Sequence, residues 1–367
     1  MSAIPPSSMP CYSCLPGVPL HALGRSASFA CGLPAAATLP VRPLLVVPGG
    51  PGLPHDYLET LEAVAKTGRR VVLFDPVGTG RSSSFGQQDP PLATPASLAH
   101  QAAAVAAAVL GSTDQLATVA AHHVLGHGTG APAALLYAEL LAVAAAETGS
   151  GGGGGAVASL VLASPLFGSP PPLPPASGGG KVASVVPWRG SVGAAVGWQE
   201  ALPPQPMLLG LVNLKSIPQP AAAGGGVGAA EARPACFGEA EARWSRDLYE
   251  AWSPATPGAL AAAAAAVAAL CGPVPTLLTS GGGRELPEVR ASVDAAWGLL
   301  SAVAAGAPRG GVAAAKAGGM AGGAAARGAV AVEYASSGHA PHLDEREAVL
   351  GDLFAFFAAA DATELAA

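Results

Sequence analysis

The sequence predicts an α/β fold built on a mostly parallel sheet, and three observations carry the prediction. Short, unbroken apolar runs recur along the chain, such as Pro43-Leu-Leu-Val-Val-Pro48 and Arg70-Val-Val-Leu-Phe-Asp75. Alanine-rich stretches of helical length lie between them, and glycine-built turns follow several of the runs. Continuous apolar character, in place of strict alternation, marks strands buried on both faces, as in parallel sheets covered by helices.

Residues 1–40 are rich in Pro, Ser and Ala and only weakly patterned, so no element is assigned there. The run at 43–48 is the first strand and leads into the turn Gly49-Gly-Pro-Gly52. A short helical stretch around 63–66 precedes the second strand at 70–75. Residues 95–110 read as helix, His123-Val-Leu-Gly126 as a third strand, and 132–147 as helix. Val157-Ala-Ser-Leu-Val-Leu-Ala163, after a glycine tract, is the next strand and closes a first core segment spanning 41–170. From about 168 to 270 the pattern weakens: prolines, glycine tracts and the aromatics Trp188, Trp198, Trp244, Tyr249 and Trp252 dominate. An inserted, partly helical cap over 171–270 has this composition. The core resumes over 271–367, with a strand at Val274-Pro-Thr-Leu-Leu-Thr279, a Gly/Ala stretch from about 303 to 328, a last strand at Val330-Ala-Val-Glu-Tyr334 and a terminal helix at 345–358. Tracts of Gly and Ala alone read as loop expansions without chemistry of their own.

With 367 residues the chain can hold one large domain with insertions or two small ones. Half of it is hydrophobic, a share inflated by alanine, and charged residues make up only 11%, against ~25% in ordinary soluble domains. The formal net charge is -6 and no Lys/Arg cluster occurs, so a nucleic-acid partner is not expected. No apolar run reaches the ~18–20 residues of a membrane span, and the nearest, at 259–271, is alanine-dominated. Residues 1–10 lack the basic start of a secretory signal. The segment before Asp56, the first acidic residue, holds Ser, Pro, Ala and two arginines. That composition is compatible with a transit peptide for the chloroplast or another organelle; otherwise a cytoplasmic location is expected. Cys11-x-x-Cys14 has zinc or redox spacing but no second pair matches it, so the five cysteines read as thiols in a reducing compartment. No metal site and no cofactor is expected.

Three loops fall at the carboxyl ends of strands, where open α/β sheets place their ligands. They are Pro48-Gly-Gly-Pro-Gly52, Gly126-His-Gly-Thr-Gly130, and Ser337-Gly-His339-Ala-Pro-His342. A strand-to-helix elbow, a glycine loop with backbone amides free to approach a substrate, and a late histidine form the acyl-transfer constellation in its usual chain order. The elbow departs from G-x-S-x-G at its centre, which is Gly128.

The stretch "PGGPGLPHDYLETLEAVAKTGRRVVLFDPVGTGRSSS" resembles the proline iminopeptidase family of α/β-hydrolases. "VLGHGTG", "SLVLASPLF", "LYEAW", "VPTLLTSGG" and "SSGHAPHLDE" extend the similarity in order over roughly residues 43–357. The resemblance implies the α/β-hydrolase fold, a mostly parallel sheet with helices on both faces and an inserted helical cap, and an activity that releases N-terminal proline from peptides. It implies His339 as general base, Gly128 at the nucleophile position, and an oxyanion hole from the backbone N–H groups of Gly50 and Thr129. Arg284 falls where the family's acid stands, and Glu285, one position on, is the carboxylate able to take the role. Pro48 replaces a histidine, and Asp75-Pro76 replaces Asp-Gln. The family's Gly-Pro-x-Glu-Phe segment, whose glutamate helps hold the substrate amine, is here Ser253-Pro-Ala-Thr-Pro257.

Thr129 carries a hydroxyl one step along, but a shift of one residue in a sharp turn aims the side chain elsewhere, and ~1 Å of misplacement costs ~100-fold. His127, His122 and His123 read as structural, Asp75 as a turn-holding residue, and Trp244, Tyr249 and Trp252 as cap core. Three functions follow from the residues. One is a member of this family impaired by its missing nucleophile. Another is a non-catalytic ligand-binding or scaffolding protein, since the "GHGTGA" elbow is also similar to the N-myc downstream-regulated family. The third is a hydrolase using water or an unorthodox nucleophile with His339 and Glu285. The expected ligand is a small peptide or other small molecule; the sequence sets no oligomeric state.

Overall fold

The computed structural model describes residues 28–31, 41–49, 51–80, 82, 93–111, 116, 119–147, 157–168, 186–187, 241–242, 248–249, 251–271, 274–282, 285, 287–306, 316–317 and 328–365. The apolar runs become the centre of one sheet. In chain order these are β2 (Leu44–Val47), β3 (Val71–Phe74), β4 (His122–His127), β5 (Val157–Ala163), β8 (Thr276–Gly281) and β10 (Ala329–Tyr334). Two shorter strands, β1 (Ser28–Cys31) and β9 (Lys316–Ala317), lie at its edges, giving the order β1-β3-β2-β4-β5-β8-β10-β9. Every pairing from β3 to β9 is parallel, and only β1 runs antiparallel, Ser28 opposite Phe74 and Cys31 opposite Val71. The weakly patterned N-terminal segment thus contributes a strand that its sequence did not signal.

The runs are continuous because successive residues enter different cores. Leu45, Val47, Val72, Phe74 and Val124 pack into one apolar cluster, and Leu44, Val46, Val71, Leu73 and Leu125 into the other. Period-two alternation is present, but both faces are covered. The first face is covered by α1 (Pro95–Leu110), α2 (Gly130–Glu147) and α3 (Pro257–Cys271), with Leu98, Tyr137, Leu141, Leu260 and Val267 in the cluster. The second is covered by a 3-10 helix (His55–Thr67) and by α6 (Arg346–Leu365), which supply Leu58, Leu61, Leu353, Phe356 and Phe357. Two further helices, α4 (Pro287–Gly306) and the short α5 (Pro341–Asp344), complete the described set.

Local chemistry fixes the boundaries. Thr94 caps α1, its hydroxyl accepting from Ser97 N at 3.1 Å, and Pro95 sits at the first helical position. β8 begins two residues later than its sequence suggests because Pro275 has no N–H to donate; its carbonyl still accepts Leu160 N–H at 2.9 Å. The terminal helix runs on to Leu365, past its expected end at 358. Asp361 anchors it, meeting Arg69 Nη2 at 2.9 Å and His123 Nε2 at 3.1 Å, while the Arg69 guanidinium lies 5.2 Å from the centre of the Phe357 ring.

Helix α2 is long and apolar enough to cross a membrane by length and composition. Its apolar residues are accounted for within the fold: Ala131, Ala134, Leu135, Tyr137, Ala138 and Leu141 are all buried. Of the 171–270 segment, Val186–Pro187 (β6) and Glu241–Ala242 (β7) pair antiparallel, and α3 packs with α2 in the first core. Trp188, Trp198 and Trp244 lie outside the described residues.

Candidate active site

The carboxyl ends of β2, β4, β8 and β10 carry the loops that the sequence marks. Strand β4 turns into α2 through Gly126–Gly130. A Cβ on Gly126 would stand 2.3 Å from the Gly130 carbonyl oxygen, and one on Gly130 2.4 Å from that of Val47, so both glycines are imposed by backbone contact. Gly128 is different. Its φ is +55°, the left-handed conformation of a nucleophile elbow, and among described atoms only His339 comes near the position of a Cβ there. The turn is held by Gly128 N–H donating to Ala163 O at 2.9 Å, while Gly128 O accepts Leu166 N–H at 3.0 Å and Ala131 N–H at 3.1 Å.

His339 follows β10 in a loop tied to the end of α5. Gly338 N donates to Asp344 Oδ2 at 3.0 Å, and Ser337 Oγ to Glu345 Oε1 at 2.8 Å. The ring is 1% exposed. Its Nδ1 faces Glu285 Oε1 at 3.2 Å, and Nε2 has no hydrogen-bond partner although buried. A proton on Nδ1 donated to the carboxylate leaves Nε2 as the acceptor, the tautomer a general base needs. That nitrogen lies 3.1 Å from where a Cβ on Gly128 would sit. Glu285 reaches its place because the β8 and β10 loops are locked together: Gly282 N–H donates to Tyr334 O at 2.8 Å and Ser337 O at 3.1 Å, and Glu285 N–H to Gly282 O at 3.1 Å. The structure therefore brings Gly128, His339 and Glu285 around one point. Arg284 lies outside the described residues.

Of the two amides expected to form an oxyanion hole, Gly50 lies outside the described residues. Thr129 N is 3.0 Å from the Cβ position of Gly49, so it faces the glycine loop. Beside it opens a cleft lined by Pro51, Val77, Leu98, Thr129, Leu248 and Trp252. Tyr249 is buried next to this cleft wall, while Trp252 is only half-buried. The segment from Ser253 to Pro257 carries no acidic group, so it offers no carboxylate to a substrate amine.

Two residues gain roles that their sequence did not reveal. Tyr57 Oη accepts Gly49 N–H at 2.8 Å and donates to His127 Nδ1 at 3.2 Å; His127 Nε2–H donates to His339 O at 2.9 Å. One chain of hydrogen bonds thus connects the glycine loop, the elbow and the histidine loop. His342 Nε2 donates to Tyr57 O at 3.1 Å, and the His127 ring stands edge-on to those of His339 and His342, with centroids 4.9 and 5.0 Å apart. Burial, reinforced by the neighbouring imidazoles, holds His127 well below its ordinary pKa and His342 at about 4. Burial raises the Tyr57 pKa, partly offset by the Gly49 hydrogen bond, so its hydroxyl stays protonated. Only the position of Tyr57 within "PHDYL" hinted at it. Asp75 is expected from the sequence to hold its own turn through its side chain; that carboxylate clips the loop at His55, and within the turn it is the Asp75 backbone carbonyl that is bonded. Its Oδ1 accepts His55 N–H at 2.9 Å and meets His55 Nδ1 at 2.5 Å, while Ser82 Oγ donates to Asp75 O at 2.6 Å. Among the described residues no group of three or more His, Cys, Asp or Glu side chains could hold a metal ion.

A twisted parallel sheet between two helical layers, with an elbow, a late histidine and an acid at strand ends, defines an α/β-hydrolase fold. Solved structures share it over most of the chain. The thioesterase domain from the curacin biosynthetic pathway matches with TM-score 0.50 and 14% identity, covering 90% of this chain and 95% of that one. Proline iminopeptidase of Mycobacterium smegmatis matches with TM-score 0.50 and 18% identity, covering 95% and 98%. Curated relatives that align with the chain over a short stretch are proline iminopeptidases. The Clostridioides difficile (strain 630) enzyme is 40% identical over 48 residues, 13% of this chain and 16% of its own length. That of Lactobacillus delbrueckii subsp. lactis is 52% identical over 42 residues, 11% and 14% of the two chains. The matched stretch therefore spans less than a fifth of these relatives. No protein-family model matches the chain.

Proposed function

We propose that this protein is a proline iminopeptidase-like member of the α/β-hydrolase fold whose acyl-transfer chemistry is disabled at the nucleophile, and that its site serves as a small-ligand pocket. One observation carries the reading: His339 Nε2, buried and without a partner, stands 3.1 Å from the Cβ position of a glycine. His339 and Glu285 retain the arrangement of a base and its orienting acid, with Thr129 facing the glycine loop, yet among the described residues no hydroxyl or thiol stands at the elbow position beside His339 Nε2. Losing a triad serine removes roughly 10⁶-fold in kcat while binding and oxyanion contacts remain. The segment from Ser253 to Pro257, without the glutamate that holds the substrate amine in that family, further supports a site that does not select a free N-terminal proline.

The test is hydrolysis of a prolyl-aminocoumarin substrate by the purified full chain, alongside thermal shifts with a small-molecule and dipeptide library. The expected result is no turnover above background and stabilisation by some library members, since a ligand that binds only the folded state raises its stability. Turnover at peptidase rates that disappears in His339→Ala would overturn the reading and favour a hydrolase with another nucleophile.

A further inference from the structure

The space in front of Gly128 has a defined chemistry. A Cβ there would have His339 Nε2 at 3.1 Å and Cε1 at 3.8 Å, and no other described atom within 4 Å beyond its chain neighbours. Nε2 is buried without a partner, while Nδ1 is engaged by Glu285. A buried polar atom left unsatisfied is costly, so this nitrogen favours any ligand group that brings or shares a proton. The 18-residue helix α2 starts at Gly130, two residues on, and directs its positive end at the same elbow. One side of the space thus wants a proton and the other a negative oxygen. A carboxyl group satisfies both.

Resting on the pocket reading above, we propose that the site binds the carboxyl group of an apolar carboxylic acid. One oxygen shares a proton with His339 Nε2, and the other points to the start of α2 at Thr129. The apolar tail lies in the cleft between Pro51, Val77, Leu98, Leu248 and Trp252. The complex holds one proton between carboxyl and imidazole, brought by the acid or taken from solvent. The groups facing His339 permit this: Glu285 supports the imidazolium from the Nδ1 side, and His127, with His342 beyond it, is kept neutral by burial and adds no repulsion. An alcohol satisfies only the nitrogen, and a methyl ester brings no proton.

Isothermal calorimetry on the purified full chain tests this with hexanoate and 4-phenylbutanoate against methyl hexanoate, hexan-1-ol and hexanamide, in buffers of different ionisation enthalpy. The acids are expected to bind with net proton uptake, and the ester, alcohol and amide about tenfold or more weakly, as for loss of a charge-assisted hydrogen bond. His339→Gln, which removes the imidazole, and Gly128→Ser, which fills the space, should each weaken hexanoate binding by a similar factor while circular dichroism shows a folded chain. Hexanamide or the ester binding as tightly as hexanoate, acid binding indifferent to both substitutions, or no acid binding at all would overturn the proposal. Methanol released from methyl hexanoate by the wild-type chain would instead overturn the impaired-enzyme reading, and it is measured separately.

Discussion

Replacing Gly128 by serine should turn the elbow into a working nucleophile site. The Cβ meets His339 Nε2 at 3.1 Å, so the ring must give by a few tenths of an ångström, after which a serine hydroxyl lies within hydrogen-bond reach of it. The backbone at φ +55° is open to a serine at a cost of about 1–2 kcal/mol. Spread over 367 residues at ~2.1 cal/mol/K of unfolding entropy each, that corresponds to a fall in Tm of ~1–3 °C. Restoring the serine of an assembled triad is worth at most ~10⁶-fold in kcat. Glu285 in place of a shorter acid, and its 3.2 Å contact with His339, will hold the gain below that ceiling. An increase of at least ~100-fold in p-nitrophenyl butyrate hydrolysis, the loss expected from ~1 Å of misalignment being allowed for, is the expected outcome. Labelling by a fluorophosphonate probe should appear only in the variant. A folded variant that neither labels nor hydrolyses would show that Gly128, His339 and Glu285 do not form one catalytic geometry.

Three further outcomes follow from the same contacts. Tyr57→Phe strands Gly49 N–H and His127 Nδ1; it should cost about 1–3 kcal/mol in urea unfolding and, combined with Gly128→Ser, lower kcat about tenfold with little change in KM. Asp75→Ala removes the acceptor of two His55 groups and should lower stability by about 2–4 kcal/mol, read as a shift in the urea midpoint. Burial sets both His122 and His342 at about 4, below their ordinary 6.5. The unfolded chain therefore binds more protons between these values, so stability is complete above pH 6.5 and falls by a few kcal/mol as the pH drops towards 4. A urea midpoint unchanged between neutral pH and 5 would contradict this assignment.

What the sequence made legible was what repeats or what lies in a motif. The unbroken runs such as Leu44–Val47 announced strands covered on both sides, and the loops at Gly128 and His339 announced strand-end chemistry. The placement of Glu285 was open because Arg284 stood in the expected position, and it is the locking of the loop at Gly282 that brings Glu285 to the ring. β1 was invisible because four residues, Ser28-Phe-Ala-Cys31, gain their order only by pairing with β3. Helix α4 escaped notice for a related reason: its mixed run from Pro287 to Gly306 borders a Gly/Ala tract that hides its end. The relay through Tyr57 and His127 depends on residues 70 apart in the chain and cannot be inferred from either alone.

Strand β4 is held at both of its ends by side chains from elsewhere in the molecule. At its start, His122 meets Tyr137 of α2 at 2.9 Å, and His123 joins Ser159 at 2.7 Å and Asp361 of the last helix at 3.1 Å. At its finish, His127 reaches the glycine loop through Tyr57 and the histidine loop directly. The strand works as a tie-rod through the molecule. Its amides should be among the last to exchange with solvent, opening only when the whole chain does. The elbow is thereby mounted on a strand tied at both ends, and the ligand seat proposed there would be shaped in advance and cost little to order.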